Sequence, residues 1–226
     1  GRLVHTGTIA SYDMSAPRKT ITEATDFGDM ETRNIYARSK AEGERRLIAM
    51  AAEGLPLVIA RPGIVLGDGG PLQHWGIGRW HGAGAVRLWG SGGNILPFVL
   101  ADDVSDGLIL MMHRPEAIGQ SFNLIGDAMF SGRDYFEAIR ARTGARLRVS
   151  GSNLTALWAA DAVKQGLKRH ALRKKGARAA SLADWKSRGH LSSFDNTKPK
   201  QLLGWDPEAD RDAFWRRAID EAHLFW

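Results

Sequence analysis

The sequence has 226 residues, of which 43% are hydrophobic and 25% are charged, and its formal net charge is +6 at pH 7. This length and composition are typical of a globular protein built as one large domain or two closely packed ones. The absence of Cys excludes disulfides, thiol nucleophiles and Cys-ligated zinc, and it favours a reducing cytoplasm. No apolar run approaches the ~20 residues of a membrane-spanning helix, and the N-terminus lacks the pattern of a secretory signal.

The N-terminal third has the pattern of a strand, a helix and a second strand. The run "LVHT", residues 3–6, predicts a strand, and a polar loop follows over 14–33. A helix is expected over 34–53 with Gly54 as its stop signal, and a buried strand over 57–60, broken by Pro62-Gly63. Four residues near the end of that helix supply apolar surface: Leu47, Ile48, Met50 and Ala51. Strand, helix and strand joined by short loops predict a parallel sheet.

The rest of the chain continues the alternation. Residues 67–93 are rich in Gly and Trp and indicate loops with short strands. Further elements are expected in chain order: a helix in "ADDVSDGLILMMH" with Leu108, Ile109, Met111 and Met112 toward the core, a strand in "SFNLIG", a helix with a Ser131–Asp134 capping box ending near Gly144, an amphipathic basic helix over 154–175, and a last helix with Asp206 as N-cap and Pro207 as first residue. The predicted class is α/β.

The stretch "NIYARSKAEGERR" places Tyr36 and Lys40 one helical turn apart, on one face. A free phenol has a pKa of about 10, so its use as an acid or base near neutral pH needs a shift worth roughly 3 to 4 kcal/mol. A neighbouring ammonium and a cationic nicotinamide ring both favour the phenolate, and Lys40 can also hold a ribose hydroxyl. Thr8 follows the first strand and offers a hydroxyl to a substrate oxygen, although Thr6 and Ser11 are nearby alternatives. The alternative interpretation of Tyr36 and Lys40 is two exposed side chains that match the spacing by chance.

Six stretches, in order, resemble the extended short-chain dehydrogenase/reductase family in its NAD-dependent epimerase/dehydratase branch: "VHTGTIASYD", "YARSKAEGE", "VIARPGIVLGDG", "PFVLADDVSDGLILMM", "SFNLIG" and "SFDNTKPKQLLGWDPEAD". The resemblance implies a Rossmann-like fold with Thr8, Tyr36 and Lys40 as catalytic residues. It implies that NAD or NADP is bound by Tyr36, Lys40 and the Pro62-Gly63-Ile64 segment, and that the 67–93 region lines the substrate cleft. Thr8, His74 and Arg79 are the expected substrate-binding residues, with His81 also in the cleft region. It further implies a nucleotide-activated sugar as substrate and a homodimer formed through the Tyr36 helix.

The sequence departs from this family at the cofactor phosphates. The family's Gly-x-x-Gly-x-x-Gly turn is absent, and none of the glycine clusters between Gly67 and Gly93 reproduces its spacing. The resemblance begins in the middle of the nucleotide-binding sheet, so we expect that about a hundred N-terminal residues are missing and that this chain alone has little activity. The expected division is a partial Rossmann-like domain, 1–66 and 99–126, and a substrate-binding region, 67–98 and 127–226.

Three further features have alternative interpretations. Arg61 is either a ligand of a substrate phosphate or a structural residue. Residues 164–188 carry nine Lys or Arg against one acid, Asp184, and can meet a substrate diphosphate, a membrane surface or nucleic acid, or form a solvated helix face. A non-catalytic regulator or nucleic-acid-binding protein is therefore the alternative function. Non-catalytic relatives of this family commonly lose the Tyr/Lys pair. Because Tyr36 and Lys40 are both present, nucleic acid is the less favoured partner. No close His, Asp and Glu spacing predicts a metal site.

Overall fold

The computed structural model describes residues 1–173 and 179–223, and it alternates strands and helices along the chain. The strands are β1 Leu3–Thr6, β2 Thr20–Ile21, β3 Leu57–Pro62, β4 Ile64–Leu66, β5 Gly78–His81, β6 Ala85–Leu88, β7 Ile95–Leu96, β8 Phe98–Leu100, β9 Ser121–Leu124, β10 Phe130–Ser131, β11 Arg148–Ser150 and β12 Ser193–Phe194. The helices are α1 Ile35–Ala52, α2 Ala101–His113, α3 Gly132–Thr143, α4 Leu154–His170, α5 Leu182–Ser187, α6 Thr197–Leu203 and α7 Arg211–Trp215, which continues as a π-helical turn, Arg216–Asp220. Among these helices of the described ranges, none combines the length and the apolarity needed to cross a membrane. The predicted α/β class is confirmed.

A parallel three-stranded sheet in the order β1-β3-β9 carries the N-terminal part of the fold. β1 pairs in register with β3, from Leu3 opposite Leu57 to Thr6 opposite Ala60. α1 is the crossover between them, as the strand–helix–strand pattern predicts. β3 is buried along its whole length and extends to Pro62, two residues beyond the predicted end. The carboxyl ends of β1 and β3 therefore lie side by side at one edge of the sheet.

β3 and β4 form a nearly continuous strand that bends at Gly63. The N–H of Gly63 donates to Leu124 O at 3.1 Å, whereas that of Ile64 donates to Pro97 O at 2.7 Å, so the backbone changes partner at this residue. A Cβ at position 63 would lie 1.9 Å from Pro97 O, a distance that only glycine avoids. Beyond the bend, β4 pairs in parallel with β8.

The β4–β8 pair separates two hydrophobic cores, because alternate residues of a strand point to opposite faces. On β8, Phe98 and Leu100 belong to one core with Phe130, and Val99 belongs to the other. The first core also takes in α3, and the second contains residues of β3, β9 and α2. A small third cluster gathers near the loop after β1.

The Gly- and Trp-rich region contains β5 and β6, which form a hairpin joined in parallel by β11. This confirms the prediction of loops with short strands. The Ser131–Asp134 capping box is present, and α3 ends with Gly144 in the left-handed conformation at its C-cap. The basic helix α4 ends at His170 rather than at residue 175. Of the predicted basic segment, Lys174, Lys175 and Arg178 lie outside the described residues.

Three helix predictions differ from the structure in detail. On α2, Met111 is buried and Leu108 packs against the second core, as predicted, but Ile109 and Met112 are exposed by 49% and 50%. The other buried residues of α2 are Asp103, Val104 and Gly107. The last helix begins at Arg211 with Asp210 as its N-cap, not at Pro207. On α1, the buried positions are Ala37, Ala41 and Glu44, whereas Ile48 and Met50 of the expected apolar surface are exposed.

The division at residues 66/67, 98/99 and 126/127 stays a prediction. The sheet β1-β3-β9 falls within the first predicted region and the sheet β11-β6-β5 within the second. α6, however, packs against α2 and β9 although it belongs to the second region by sequence. Trp205 just after it is buried and donates from Nε1 to Asp103 O at 2.7 Å. The C-terminal segment therefore returns to the first sheet.

Candidate functional site

Thr8 lies just beyond the carboxyl end of β1, the edge at which open α/β sheets bind ligands. Its Oγ1 accepts a hydrogen bond from the backbone N–H two residues on, at 3.2 Å, and caps the 3-10 turn 9–11. The Ser11 hydroxyl is buried and donates to Glu44 Oε1 at 2.9 Å, so it is not free to meet a ligand. Thr6 is an exposed residue within β1. Thr8 is thus a half-buried hydroxyl in the turn that follows the strand.

Tyr36 and Lys40 lie in the first turns of α1. The side chain of Asn34 caps this helix by accepting from the N–H of Ala37 at 3.0 Å. The Tyr36 side chain is 56% exposed, and Lys40 Nζ lies 5.9 Å from the centroid of its ring. Within the part of the chain that the structure describes, neither Tyr36 Oη nor Lys40 Nζ has a hydrogen-bond partner. Both groups are available to one ligand on one helical face.

Glu44, two turns after Tyr36, is a fully buried carboxylate. Its Oε1 accepts from Ser11, and its Oε2 accepts from Arg61 Nε at 2.7 Å. The Glu44 and Arg61 side chains are 0% and 4% exposed. The contacts of Glu44 join α1 to the turn after β1 and to the carboxyl end of β3. Of the two interpretations of Arg61, the structure therefore supports the structural one.

The same network continues into β9 through Tyr12. Arg61 Nη1 donates to Tyr12 Oη at 2.5 Å and its guanidinium stacks 4.7 Å from the Tyr12 ring centroid. Tyr12 in turn donates to Asn123 Oδ1 at 2.8 Å. Burial raises the pKa of Tyr12 and keeps its phenol protonated. Spacing along the sequence did not single out Glu44, Tyr12 or Asn123. The available signal for Glu44 was its position on the face of α1 that carries the small residues Ala37 and Ala41.

The Pro62-Gly63-Ile64 segment lies at the β3–β4 bend, directly after Arg61. Pro62 and Ile64 are buried, and Gly63 is held by the two carbonyl contacts described above. The Glu44–Arg61 ion pair connects this bend to the helix that carries Tyr36. The segment therefore has a fixed position relative to α1.

His74 and Arg79 lie in the Gly- and Trp-rich region, on different structures. His74 Nδ1 accepts from the N–H of Gly76 at 3.0 Å, and burial lowers the pKa of this imidazole. Arg79 is exposed on β5, directly opposite Arg87 of β6. His81 is exposed at the end of the same strand. A search of the described residues for metal-binding groups of His, Cys, Asp and Glu finds none.

A cluster of Trp89, Trp185 and Arg188, here called the Trp–Arg cluster, is linked to the start of α1. The Arg188 guanidinium lies 4.1 Å from the Trp185 ring centroid and 5.3 Å from that of Trp89. Its Nη2 bonds Asp184 at 3.0 Å, and Asp184 Oδ1 accepts from both the N–H and the amide of Asn34 at 3.3 Å. Arg188 Nη1 is buried and has no hydrogen-bond partner in residues 1–173 and 179–223. An unsatisfied guanidinium N–H group therefore lies close to the N-cap of the Tyr36 helix.

Several solved structures resemble this chain at low sequence identity. The structure of gox2253 has 20% identity and a TM-score of 0.72, with 97% of this chain and 65% of that chain covered. UDP-glucuronic acid 4-epimerase from Bacillus cereus, in complex with UDP-glucuronic acid and NAD, has 16% identity and a TM-score of 0.63, covering 96% and 60%. MoeE5 in complex with UDP-glucuronic acid and NAD has 17% identity and a TM-score of 0.67, covering 97% and 64%. At these identities the likeness shows the fold, and the chain spans less than two thirds of the length of each.

A comparison with curated protein sequences gives no significant match. The family model described as the NAD dependent epimerase/dehydratase family matches residues 1–124, more than half of the chain. That match contains Thr8, Tyr36, Lys40 and the β3–β4 bend. The chain belongs to the NAD dependent epimerase/dehydratase family.

Proposed function

We propose that this chain carries the proton-transfer site of an NAD(P)-dependent epimerase/dehydratase-type enzyme acting on a nucleotide-activated sugar or a related hydroxyl or carbonyl substrate. The main support is the free Tyr36–Lys40 pair on a helix that the buried Glu44–Arg61 ion pair locks to the carboxyl ends of the sheet. A site that moves a proton at a defined atom needs this rigidity, because misplacement by about 1 Å costs roughly 100-fold in rate.

In this mechanism Tyr36 Oη exchanges a proton with the sugar hydroxyl. The Lys40 ammonium, one helical turn from Tyr36, would bind a ribose hydroxyl of the cofactor. Thr8 Oγ1 donates a hydrogen bond to the substrate oxygen on which charge develops. Bound NAD or NADP would supply the hydride acceptor and donor.

The residues present fit the nicotinamide end of such a cofactor. Among the described residues, Lys40 Nζ and Tyr36 Oη have no hydrogen-bond partner and can meet ribose hydroxyls. The Glu44–Arg61 ion pair holds the β3–β4 bend in a fixed position relative to their helix. The cofactor phosphates have no comparable site in this sequence, because it lacks the glycine turn that would bind them. We therefore assign Tyr36, Lys40, Pro62, Gly63 and Ile64 to the nicotinamide and ribose alone.

A phosphate-bearing substrate is supported by the Trp–Arg cluster. Arg188 Nη1 is a buried donor that finds no partner in the described part of the chain, and such a guanidinium suits a phosphate oxygen. UDP-glucose and UDP-glucuronic acid, ligands of the neighbouring MoeE5 structures, are the first substrates to test. His74 and Arg79 remain candidate substrate contacts. A dehydratase usually has an acid beside its catalytic hydroxyl residue. Ile9 and Ala10 follow Thr8 here, which favours epimerisation or reduction over dehydration.

The partner and compartment predictions also remain proposals. Ile48 and Met50, exposed on α1, support a homodimer through this helix. Sedimentation should then give a dimer, and a monomer at micromolar concentration would contradict it. A reducing cytoplasm is proposed from the absence of Cys alone.

The test combines a titration of this chain with NADH and NADPH, followed by Trp fluorescence, with turnover of both UDP-sugars by the full-length protein. Wild type and Tyr36→Phe are compared in both measurements. We expect Tyr36→Phe to bind cofactor and to lose at least 100-fold in turnover, because general acid–base catalysis contributes 10²–10⁴-fold. Lys40→Met should weaken cofactor binding as well.

Three outcomes distinguish the interpretations. Cofactor binding with unchanged turnover in Tyr36→Phe would overturn the mechanism. Binding of neither cofactor would contradict a cofactor site formed by this chain alone. Salt-sensitive RNA binding without any cofactor-dependent turnover would favour the non-catalytic alternative.

A further inference from the structure

α4 is a 17-residue helix in which no residue is buried. It is attached along one side, where it packs against α5. Trp158 Nε1 donates to Ala180 O at 3.1 Å, and Asp161 Oδ2 accepts from Trp185 Nε1 at 3.1 Å. Asp161 also accepts from Gln165 at 3.2 Å, so this side of the helix is polar and partnered.

The opposite side of α4 is an exposed apolar stripe, defined by Ala156, Ala160, Val163 and Leu167. Their spacings of four, three and four residues place them on one helical face. Val163 and Leu167 are 66% and 58% exposed, and Leu172 beyond the helix end is 64% exposed. Large apolar side chains aligned on the solvent-facing side of a helix mark an interaction surface.

Two lysines lie along one edge of this stripe. Lys164 and Lys168 each follow one of its two large residues by one position, whereas Arg169 is on the far side of the helix and Arg173 lies beyond the helix end. Asp161 is the single acid of α4 and is turned toward α5. None of the four cations has an ion-pair partner among the residues that the structure describes.

We propose that α4 lies in the interface of an anionic lipid bilayer, with the apolar stripe inserted among the acyl chains and the flanking cations on the headgroup phosphates. An apolar face with lysines along its edge is the pattern of helices that rest on membranes. Nucleic acid would use the cations and leave the stripe in water. A second copy of α4 would bring two cationic borders together, which the stripe alone does not offset.

The test measures co-sedimentation with vesicles of phosphatidylcholine alone and of phosphatidylcholine mixed with phosphatidylglycerol, without cofactor or substrate. Vesicle binding therefore does not depend on whether the Tyr36 site is active. Three double variants are compared with the wild-type chain: Lys164→Gln/Lys168→Gln, Val163→Gln/Leu167→Gln and, as a charge-matched control, Arg87→Gln/Arg148→Gln on exposed positions of β6 and β11.

We expect binding to the anionic vesicles only. The lysine variant should bind about 25-fold more weakly, from about 1 kcal/mol for each cation at the surface. The apolar variant should lose roughly tenfold, because the inserted surface becomes polar. The control should bind like the wild-type chain. All substituted side chains are solvent-accessible, and thermal melts followed by circular dichroism verify that each variant is folded.

Other outcomes overturn the assignment. Absence of vesicle binding by the wild-type chain contradicts the proposal directly. If the control variant weakens vesicle binding as much as the lysine variant, binding depends on the general positive charge of the chain and not on α4. Tight RNA binding that is lost in the lysine variant and kept in the apolar variant would identify a nucleic-acid surface. A dimer that dissociates in the apolar variant, without vesicle binding, would identify a second copy as the occupant of the stripe.

Discussion

At the scale of single residues, the buried Glu44 carboxylate is the group on which the site geometry depends most. Glu44→Gln removes the charge that compensates the buried guanidinium of Arg61. We expect a loss of about 3 to 5 kcal/mol in the free energy of unfolding, because one partner of a buried ion pair is left uncompensated. Urea denaturation at neutral pH measures this loss.

Glu42, on the exposed side of the same helix, offers the matched control. It pairs with Arg46 at 3.1 Å, with side chains that are 49% and 77% exposed. Glu42→Gln should change the free energy of unfolding by less than about 0.5 kcal/mol, since water screens such a pair. If Glu44→Gln changed the free energy of unfolding as little as Glu42→Gln, the Glu44 network would not stabilise the fold.

His74 gives the stability of the chain a dependence on pH. Burial lowers the pKa of this imidazole below its ordinary value of 6.5. The folded protein thus binds the proton less readily than the unfolded chain, so the His74 contribution is fully present above pH 6.5 and is lost as the pH falls through the lower folded pKa. We expect the difference in the free energy of unfolding between wild type and His74→Gln to shrink on acidification. Urea denaturation between about pH 5 and pH 8 tests this, with His81→Gln on exposed β5 as control; a difference independent of pH would contradict it.

The sequence allowed some of these residues to be singled out and concealed others. Tyr36, Lys40 and Thr8 are recognisable because the spacing of a phenol, an ammonium and a post-strand hydroxyl is local. The Glu44 contacts reach 33 residues back to Ser11 and 17 forward to Arg61. Such pairings depend on the packing of α1 against the sheet, which spacing along the chain does not specify.

At the scale of elements, the bend at Gly63 sets the direction of β4 relative to β3. Gly63→Ala would place a Cβ 1.9 Å from Pro97 O, so β4 or the Pro97 backbone must move. We expect a loss of at least about 3 kcal/mol in the free energy of unfolding, in the range of severe core substitutions.

Gly43→Ala in the middle of α1 is the control for this substitution. Its new Cβ would have no neighbour within 4 Å, and alanine favours the helix by about 0.5 to 1 kcal/mol over glycine. The two substitutions should therefore have opposite signs in chemical denaturation. A neutral Gly63→Ala would mean that the bend adapts easily to a side chain.

The regular elements followed from periodicity and caps, and the errors occurred where tertiary contacts decide. α1, α3 and the Rossmann-like strands have clear local signals. The Asp206-Pro207 pair has the form of a helix start, but the segment is held extended because the N–H of Glu208 donates to buried Asp103 Oδ2 at 3.1 Å. On α2, small Gly107 allows close approach to Leu124 and Trp205, which turns that side inward in place of the one with Ile109 and Met112.

At the scale of the whole molecule, the β4–β8 pair is the common wall of the two larger cores. Val99 contributes to one core and Leu100 to the other, and both are fully or almost fully buried. Neither core can lose its packing without exposing the opposite face of this strand pair. The two cores should therefore unfold as one cooperative unit, although they belong to different predicted regions.

Single substitutions on β8 test this coupling. Val99→Ala should cost about 2 kcal/mol and Leu100→Ala about 2 to 5 kcal/mol, from lost burial and the cavity left behind. Each should shift one transition, with the same midpoint by circular dichroism and by Trp fluorescence, because the wall is shared. Leu100→Ala could instead unfold in two separate transitions, with the core that contains Val99 still folded after the first. That result would show that the two cores are independently stable. In that case the position of the Tyr36 helix would not depend on the integrity of the core around α3.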